Sequence, residues 1–230
     1  MDPVLEGSMK IHNLLLCREM ATARREGRKT QTRRVAKIPE DMVKILGPCG
    51  NKLTGDLFLA GEDRDGNSIA VKCPIQPGDS IRWLTTWAYS DEWDDCKPSK
   101  LPSLEISKLT LWSYHDSDTK PEGFGRLRSG LFLPGHLRDR MPVDIVTAVR
   151  CERVNEISEE DAKAEGIIEI ARSLFAHGRM NGFGIKGTTP EDAASTRINA
   201  FVSLWNRLHG PGAWERGDWV WVYEFKPNVK

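Results

Sequence analysis

Apolar and polar positions alternate most cleanly between Pro142 and Val154, where Val143, Ile145, Thr147, Val149 and Cys151 interleave with Asp144, Val146, Ala148, Arg150 and Glu152. That period of two predicts a long strand, because successive strand side chains point to opposite faces. Trp219-Val220-Trp221-Val222-Tyr223-Glu224-Phe225 is apolar on both faces except at Glu224, the pattern of a strand in a closed or well-covered sheet. Shorter strand-like runs occupy residues 11–16, 57–60, 69–72, 81–87 and 108–114. Asp65-Gly66 joins the second and third as a hairpin, and Pro77-Gly78-Asp79 turns the chain into the fourth.

Three helices interrupt these strands. The first spans Met20 to Glu26 and is closed by Gly27, the residue type that takes a left-handed cap without a Cβ penalty. Ser158 caps the second, with Asp161 in capping-box position, Ile157 and Ala162 as a weak staple and Gly166 as the stop. The third is expected from Thr189, with Pro190 in its first turn and Asp192 completing the box. Ile198, Phe201, Val202, Trp205 and Leu208 form its apolar stripe, and Gly210 ends it. Residues 89–130, rich in Asp, Pro and Gly, and 171–188, with four glycines, read as loop insertions. The sum is an α+β chain: a small, mostly antiparallel β-barrel with flanking short helices.

Composition narrows the function. The 230 residues carry 33 basic and 33 acidic side chains, so the global positive excess of a non-specific nucleic-acid coat is missing and any anion site is local. The five cysteines are odd in number and scattered without a C-x-x-C pair, which argues against a disulfide framework and a zinc knuckle and fits a reducing, cytoplasmic setting. No run approaches the ~20 apolar residues of a membrane span. The five histidines have no metal-ligand spacing, and phosphate-loop and dinucleotide fingerprints are missing, so no metal and no cofactor is expected. Met1 to Ser8, ahead of Met9, reads as an appended leader, leaving one domain over residues 9–230.

The local anion site falls on Gly27-Arg28-Lys29-Thr30-Gln31-Thr32-Arg33-Arg34, four cations, two hydroxyls and an amide in eight residues. Arg offers a planar fork of donors, Lys a point charge, and Thr and Gln adaptable hydrogen bonds, a set suited to a phosphate-bearing or base-like ligand. Arg28 and Lys29 are also favourable simply because they follow a helix C-terminus.

This octet resembles the ASCH domains of the PUA-like superfamily, in their phage and prophage form. Three further stretches are similar to that family: Cys73-Pro74 with Pro77-Gly78-Asp79 and Thr86-Trp87-Ala88; Arg150 to Val154 with Ile157 to Gly166; and Phe201 to Trp205 with Trp219 to Phe225. The resemblance implies a β-barrel with a cleft between the Gly-Arg-Lys-Thr segment and the Ala-x-x-Glu-Gly helix. It implies a module that binds RNA, other nucleic acid or a modified nucleobase. It also implies an alternative, an amidohydrolase acting on acetylated cytidine through Lys29, Thr32 and Glu165. Arg28, Gln31, Arg33, Arg34, Arg138 and Arg140 are the candidate ligand contacts, with Arg34, on the face of Thr32, the favoured one. Leu84 and Thr85 stand where those relatives carry a charged pair.

In the enzyme reading Thr32 Oγ attacks an amide carbonyl, Lys29 takes its proton, and Glu165 assists or orients the lysine. Two conditions follow. The lysine must titrate below its usual range of about 10.4, with the neighbouring arginines and Glu165 pulling in opposite directions. In addition, Lys29 and Thr32 lie on opposite faces of a regular strand and converge only if residues 28–30 form a turn or bulge.

Overall fold

The computed structural model describes residues 10–51, 55–100, 110–171 and 181–227. The chain opens with β1 (Ile11–Leu15), α1 (Arg18–Arg25) and β2 (Gln31–Val35). It continues through β3 (Lys44–Gly50), β4 (Leu57–Glu62), β5 (Ser68–Lys72), β6 (Ser80–Leu84), β7 (Trp87–Tyr89) and β8 (Leu111–Ser113). Then come β9 (Val143–Arg153), α2 (Glu159–Ala164), β10 (Ile168–Ala171), β11 (Asn181–Gly184), α3 (Arg197–His209) and β12 (Trp219–Phe225). The protein is thus α+β, as its patterning predicts.

The main sheet has the order β1-β6-β9-β12-β2, with β1 parallel to β6 and every other pair antiparallel. It is an open sheet, not the closed barrel expected: among the described residues β1 and β2 end it as two edges with no ladder between them. β12, second from one edge, is buried on both faces, which is why its sequence does not alternate. Its Trp221, Val222, Tyr223 and Phe225 pack with Trp83, Leu59, Val146 and the α3 residues Phe201 and Trp205 into one apolar core. Glu224, the polar exception, is held by Arg150 across the ladder at 2.6 Å.

A buried ion pair braces this core. Arg24 of α1 makes a bidentate contact with Asp144 of β9 at 2.8 and 2.6 Å, and Trp83 Nε1 donates to the same carboxylate. Paired and hydrogen-bonded, the two charges avoid the desolvation penalty an isolated one suffers. His115 sits against it, its Nε2 bonded to Trp83 O, and burial with the Arg24 charge lowers its pKa to about 4.

Four further expectations are corrected. β3 is absent from the expected strands, because Gly47-Pro48 punctuates it; as an edge strand bonded, among the described residues, to β4 alone, it tolerates a proline that donates nothing. The run 81–87 is two strands, broken at Thr85-Thr86, where Gly130 packs against the Thr85 backbone. Within 171–188, residues 181–184 form β11 paired with β10, although 172–180 lie outside the described residues. Finally, α3 begins at Thr196, whose hydroxyl accepts from Asn199 N, and not at Thr189; Thr189 caps only a local turn through Asp192, because residues 183 and 194 are bridged there in extended form. Within 89–130, expected as loop around one strand at 108–114, β8 falls inside that strand and pairs with β7, whose Trp87 and Tyr89 pack with Leu133, Leu137 and Met141 in a second small core. The expected leader, residues 1–8, and the start of the expected strand 108–114 lie outside the described residues.

Candidate functional site

The opening in the sheet is occupied by a cavity of about 690 Å³. Leu14, Leu15 and Leu16 from β1 and its end form one wall and Thr32, Arg33 and Arg34 of β2 the opposite one. Phe201, Leu204, Trp205, Leu208 and His209 of α3 also line it. Lys29 and Glu165 complete it together with Leu84, Leu131 and Arg138.

The local fold explains why Lys29 and Glu165 meet. Gly27 takes φ +72 and ends α1, so that residues 28–30 stay outside the strand, which begins only at Gln31. The turn lies at residues 26–27, ahead of the expected 28–30, and because Lys29 precedes the strand it is freed from strand alternation. On the other side, Ser158 Oγ caps α2 by accepting from Asp161 N at 3.1 Å, and the helix ends at Glu165. Gly166 follows with φ +105, and a Cβ there would lie 2.9 Å from that of Ala23. Only glycine lets the end of α2 approach α1 so closely. Thr30 N then donates to Ala164 O at 2.9 Å, which locks the two segments together.

Lys29 is 2% exposed and its ammonium has three acceptors: Glu165 Oε2 at 2.6 Å, Gln31 O at 2.7 Å and Glu165 O at 3.3 Å. Burial pushes its pKa below the ordinary lysine value, the Glu165 charge pulls it back and Arg34 adds to the lowering. The first condition of the enzyme reading, left undecided by the residues alone, thus resolves as a lowered lysine. Arg33 donates to the other Glu165 oxygen at 3.0 Å, to Glu152 at 2.6 Å, and lies 3.2 Å from Asp161. Thr32 is buried beside them, and no described residue hydrogen-bonds its hydroxyl.

The expected contact residues divide. Lys29, Thr32, Arg33, Arg34, Glu165 and Arg138 line the cavity; Arg28, Gln31 and Arg140 do not. Arg28 folds back onto Glu26 at 2.6 Å and onto Gly166 O, Gln31 is buried beside Asp161, and Arg140 lines a separate cavity with Arg24 and His115. Leu84 gives the wall an apolar patch, and Thr85 is buried next to it. The α3 wall was missed as a site element. Trp205 and His209 share one helix face at i, i+4 spacing and their rings lie 4.0 Å apart, a pairing legible in the sequence once α3 is drawn.

Trp83, Trp87 and Trp112 are core residues, and Trp214 packs edge-on to Phe201, so none of these is a free stacking platform. Among the described residues no cluster of His, Cys, Asp or Glu could hold a metal ion, and no helix is long and apolar enough to cross a membrane. All five cysteines are free thiols; burial raises that of Cys73 and pushes that of Cys151 up to about 12. Comparison of the chain with protein-family models, characterised proteins and solved structures finds no match.

Proposed function

We propose that the protein is an ASCH-type member of the PUA-like superfamily whose cavity takes a single modified nucleobase and hydrolyses an acyl amide on it. The observation that carries this reading is that Lys29, Thr32 and Glu165 line one cavity, with the Thr32 hydroxyl bonded by no described residue. A second observation turns it away from polyanion binding. Three of the four cations in the octet are neutralised, Arg28 by Glu26, Lys29 by Glu165 and Arg33 by three carboxylates. A cleft so balanced suits a compact polar ring better than a long phosphate backbone. Its apolar and aromatic α3 wall suits the face of a base.

In the reactive form the proton between Lys29 Nζ and Glu165 Oε2 resides on the carboxylate, leaving a neutral amine. Lys29 takes the Thr32 hydroxyl proton as Oγ1 bonds to the amide carbon. Lys29 then passes that proton to the departing nitrogen, the C–N bond breaks, and a Thr32 ester remains. Lys29 then takes a proton from water as its oxygen bonds to the ester carbon, the bond to Thr32 Oγ1 breaks and Oγ1 recovers the proton from Lys29, so one amide and one water yield an acid and an amine.

The same cavity supports a second reading, a binding module without turnover, favoured by the three acceptors that hold Lys29 as an ammonium. Incubation with a panel of N-acylated nucleosides, read by mass spectrometry, separates the two. Product formation that falls by about 10³-fold or more in Thr32→Val, with the fold intact by circular dichroism, is expected. Binding of an acylated nucleoside without product makes the second reading correct.

A further inference from the structure

We propose that Arg34 and Arg138 build a phosphate-binding end of this cavity, so that its ligand is a nucleotide and not a free nucleoside. The inference rests on the nucleobase reading for the ring that fills the cavity, while the phosphate end stands on its own observations. Both guanidiniums line the cavity and both are half-buried. Neither has a carboxylate within ion-pair distance among the described residues, whereas Arg33, next in sequence to Arg34, has three. A half-buried cation with no carboxylate in contact loses hydration that backbone acceptors replace only in part, and a bound anion would supply the rest.

Both side chains are held by neutral backbone acceptors that orient them without neutralising them. Arg34 Nη2 donates to Leu15 O at 2.6 Å across the open sheet, and Arg138 Nε donates to Leu133 O at 3.2 Å. Each therefore keeps further N–H donors in a fixed fork, the geometry that pairs with phosphate oxygens. One fork is on β2 and the other on the turn before β9, so that an anion between them would tie the two walls together. His209 lines the same cavity, and burial together with the nearby Arg34 charge favours its neutral form, so Arg34 and Arg138 supply the positive charge of this end. The phosphate could be the monoester of a mononucleotide or the diester flanking a base in RNA, and the two share this chemistry.

Calorimetry on the full chain tests the proposal with cytidine, its 5′- and 3′-monophosphates, a short single-stranded RNA and inorganic phosphate as probes. At least one phosphorylated form is expected to bind about 10- to 100-fold more tightly than cytidine, with the advantage shrinking at high salt. Arg34→Met and Arg138→Met should each remove most of that advantage, read as the ratio of phosphorylated-probe to cytidine affinity within the same variant, and Arg34→Lys should restore part of it. A monoester preference identifies a mononucleotide ligand and an oligonucleotide preference a base within RNA. Equal affinity for cytidine and every phosphorylated probe overturns the proposal, as does an advantage that survives the double variant. If no cytidine compound binds, the nucleobase reading fails, and inorganic phosphate decides this one: binding lost in Arg34→Met and Arg138→Met upholds it, and no binding refutes it.

Discussion

Replacing Glu165 by Gln should destabilise the protein far more than replacing Lys29 by Met, although both remove the same ion pair. In Glu165→Gln the Lys29 ammonium stays buried and loses its counter-charge, keeping only neutral acceptors: Gln31 O at 2.7 Å, the carbonyl of residue 165 at 3.3 Å and the amide oxygen of the new side chain. Arg33 is less affected, because Glu152 and Asp161 remain beside it at 2.6 and 3.2 Å. Stranding a buried charge costs about 3–5 kcal/mol. In Lys29→Met the carboxylate keeps Arg33 at 3.0 Å, so no charge is stranded. That loss is about 1–2 kcal/mol of hydrogen bonding. At about 3 °C per kcal/mol for a chain of this size, thermal denaturation should show Tm falling by about 12 °C for Glu165→Gln and about 4 °C for Lys29→Met.

The pH dependence sharpens the test. Lys29 titrates lower in the folded chain than in the unfolded one, so between those two values the unfolded chain holds the extra proton and stability rises with pH. Without Glu165 to oppose it, burial lowers the lysine further, and this window opens at a lower pH. The deficit of Glu165→Gln should therefore shrink as pH is raised from neutrality toward the lysine range. A Lys29→Met variant as unstable as Glu165→Gln, or a Glu165→Gln deficit that grows with pH, refutes the account.

Two other outcomes are expected. His115, with its pKa lowered from 6.5 to about 4, is neutral in the folded protein at neutral pH, so the stability it secures is lost as pH falls through that interval. The loss amounts to about 3 kcal/mol, and urea denaturation of His115→Gln should show a flatter profile there; an unchanged profile assigns the acid sensitivity elsewhere. In Gly130→Ala the new methyl would sit 2.8 Å from Thr85 O and 2.9 Å from Thr85 N, pushing the turn at 129–133 off the sheet. Overpacking of this kind costs about 1–3 kcal/mol, and a Tm within about 1 °C of the parent would show that the turn yields freely.

The sequence disclosed those parts of the fold whose signal is local. β9 shows in its alternation, β12 in its unbroken apolar run and α2 in its Ser158 cap and Gly166 stop. What escaped depends on distant partners. Thr189, Pro190 and Asp192 write a convincing helix start, but the bridge between Phe183 and Ala194 keeps that segment extended until Thr196. Gly47-Pro48 reads as a break, yet the edge position of β3 accommodates both residues. In the site, Lys29, Thr32 and Glu165 were singled out by a resemblance to a family and not by residue pattern alone, while the neutralisation of Arg33 required carboxylates from remote segments. The openness of the sheet was equally invisible, because no residue of β1 or β2 encodes a missing ladder.

The placement of β2 sets a condition on biosynthesis. Among the described residues its one ladder partner is β12, so the segment that carries Thr32 and Arg34 has no sheet to join until Trp219 to Phe225 have been made. A loop of that length closes late, since its chain entropy must be surrendered before the pairing is gained. On the ribosome the early strand must wait, cationic and unpaired, with Lys29 and Arg33 still hydrated. The cavity wall that β2 forms is therefore completed only once the chain has been made through Phe225, and a nascent chain stalled before Trp219 should leave β2 unpaired and open to proteolysis even if α1, β6 and β9 have already folded.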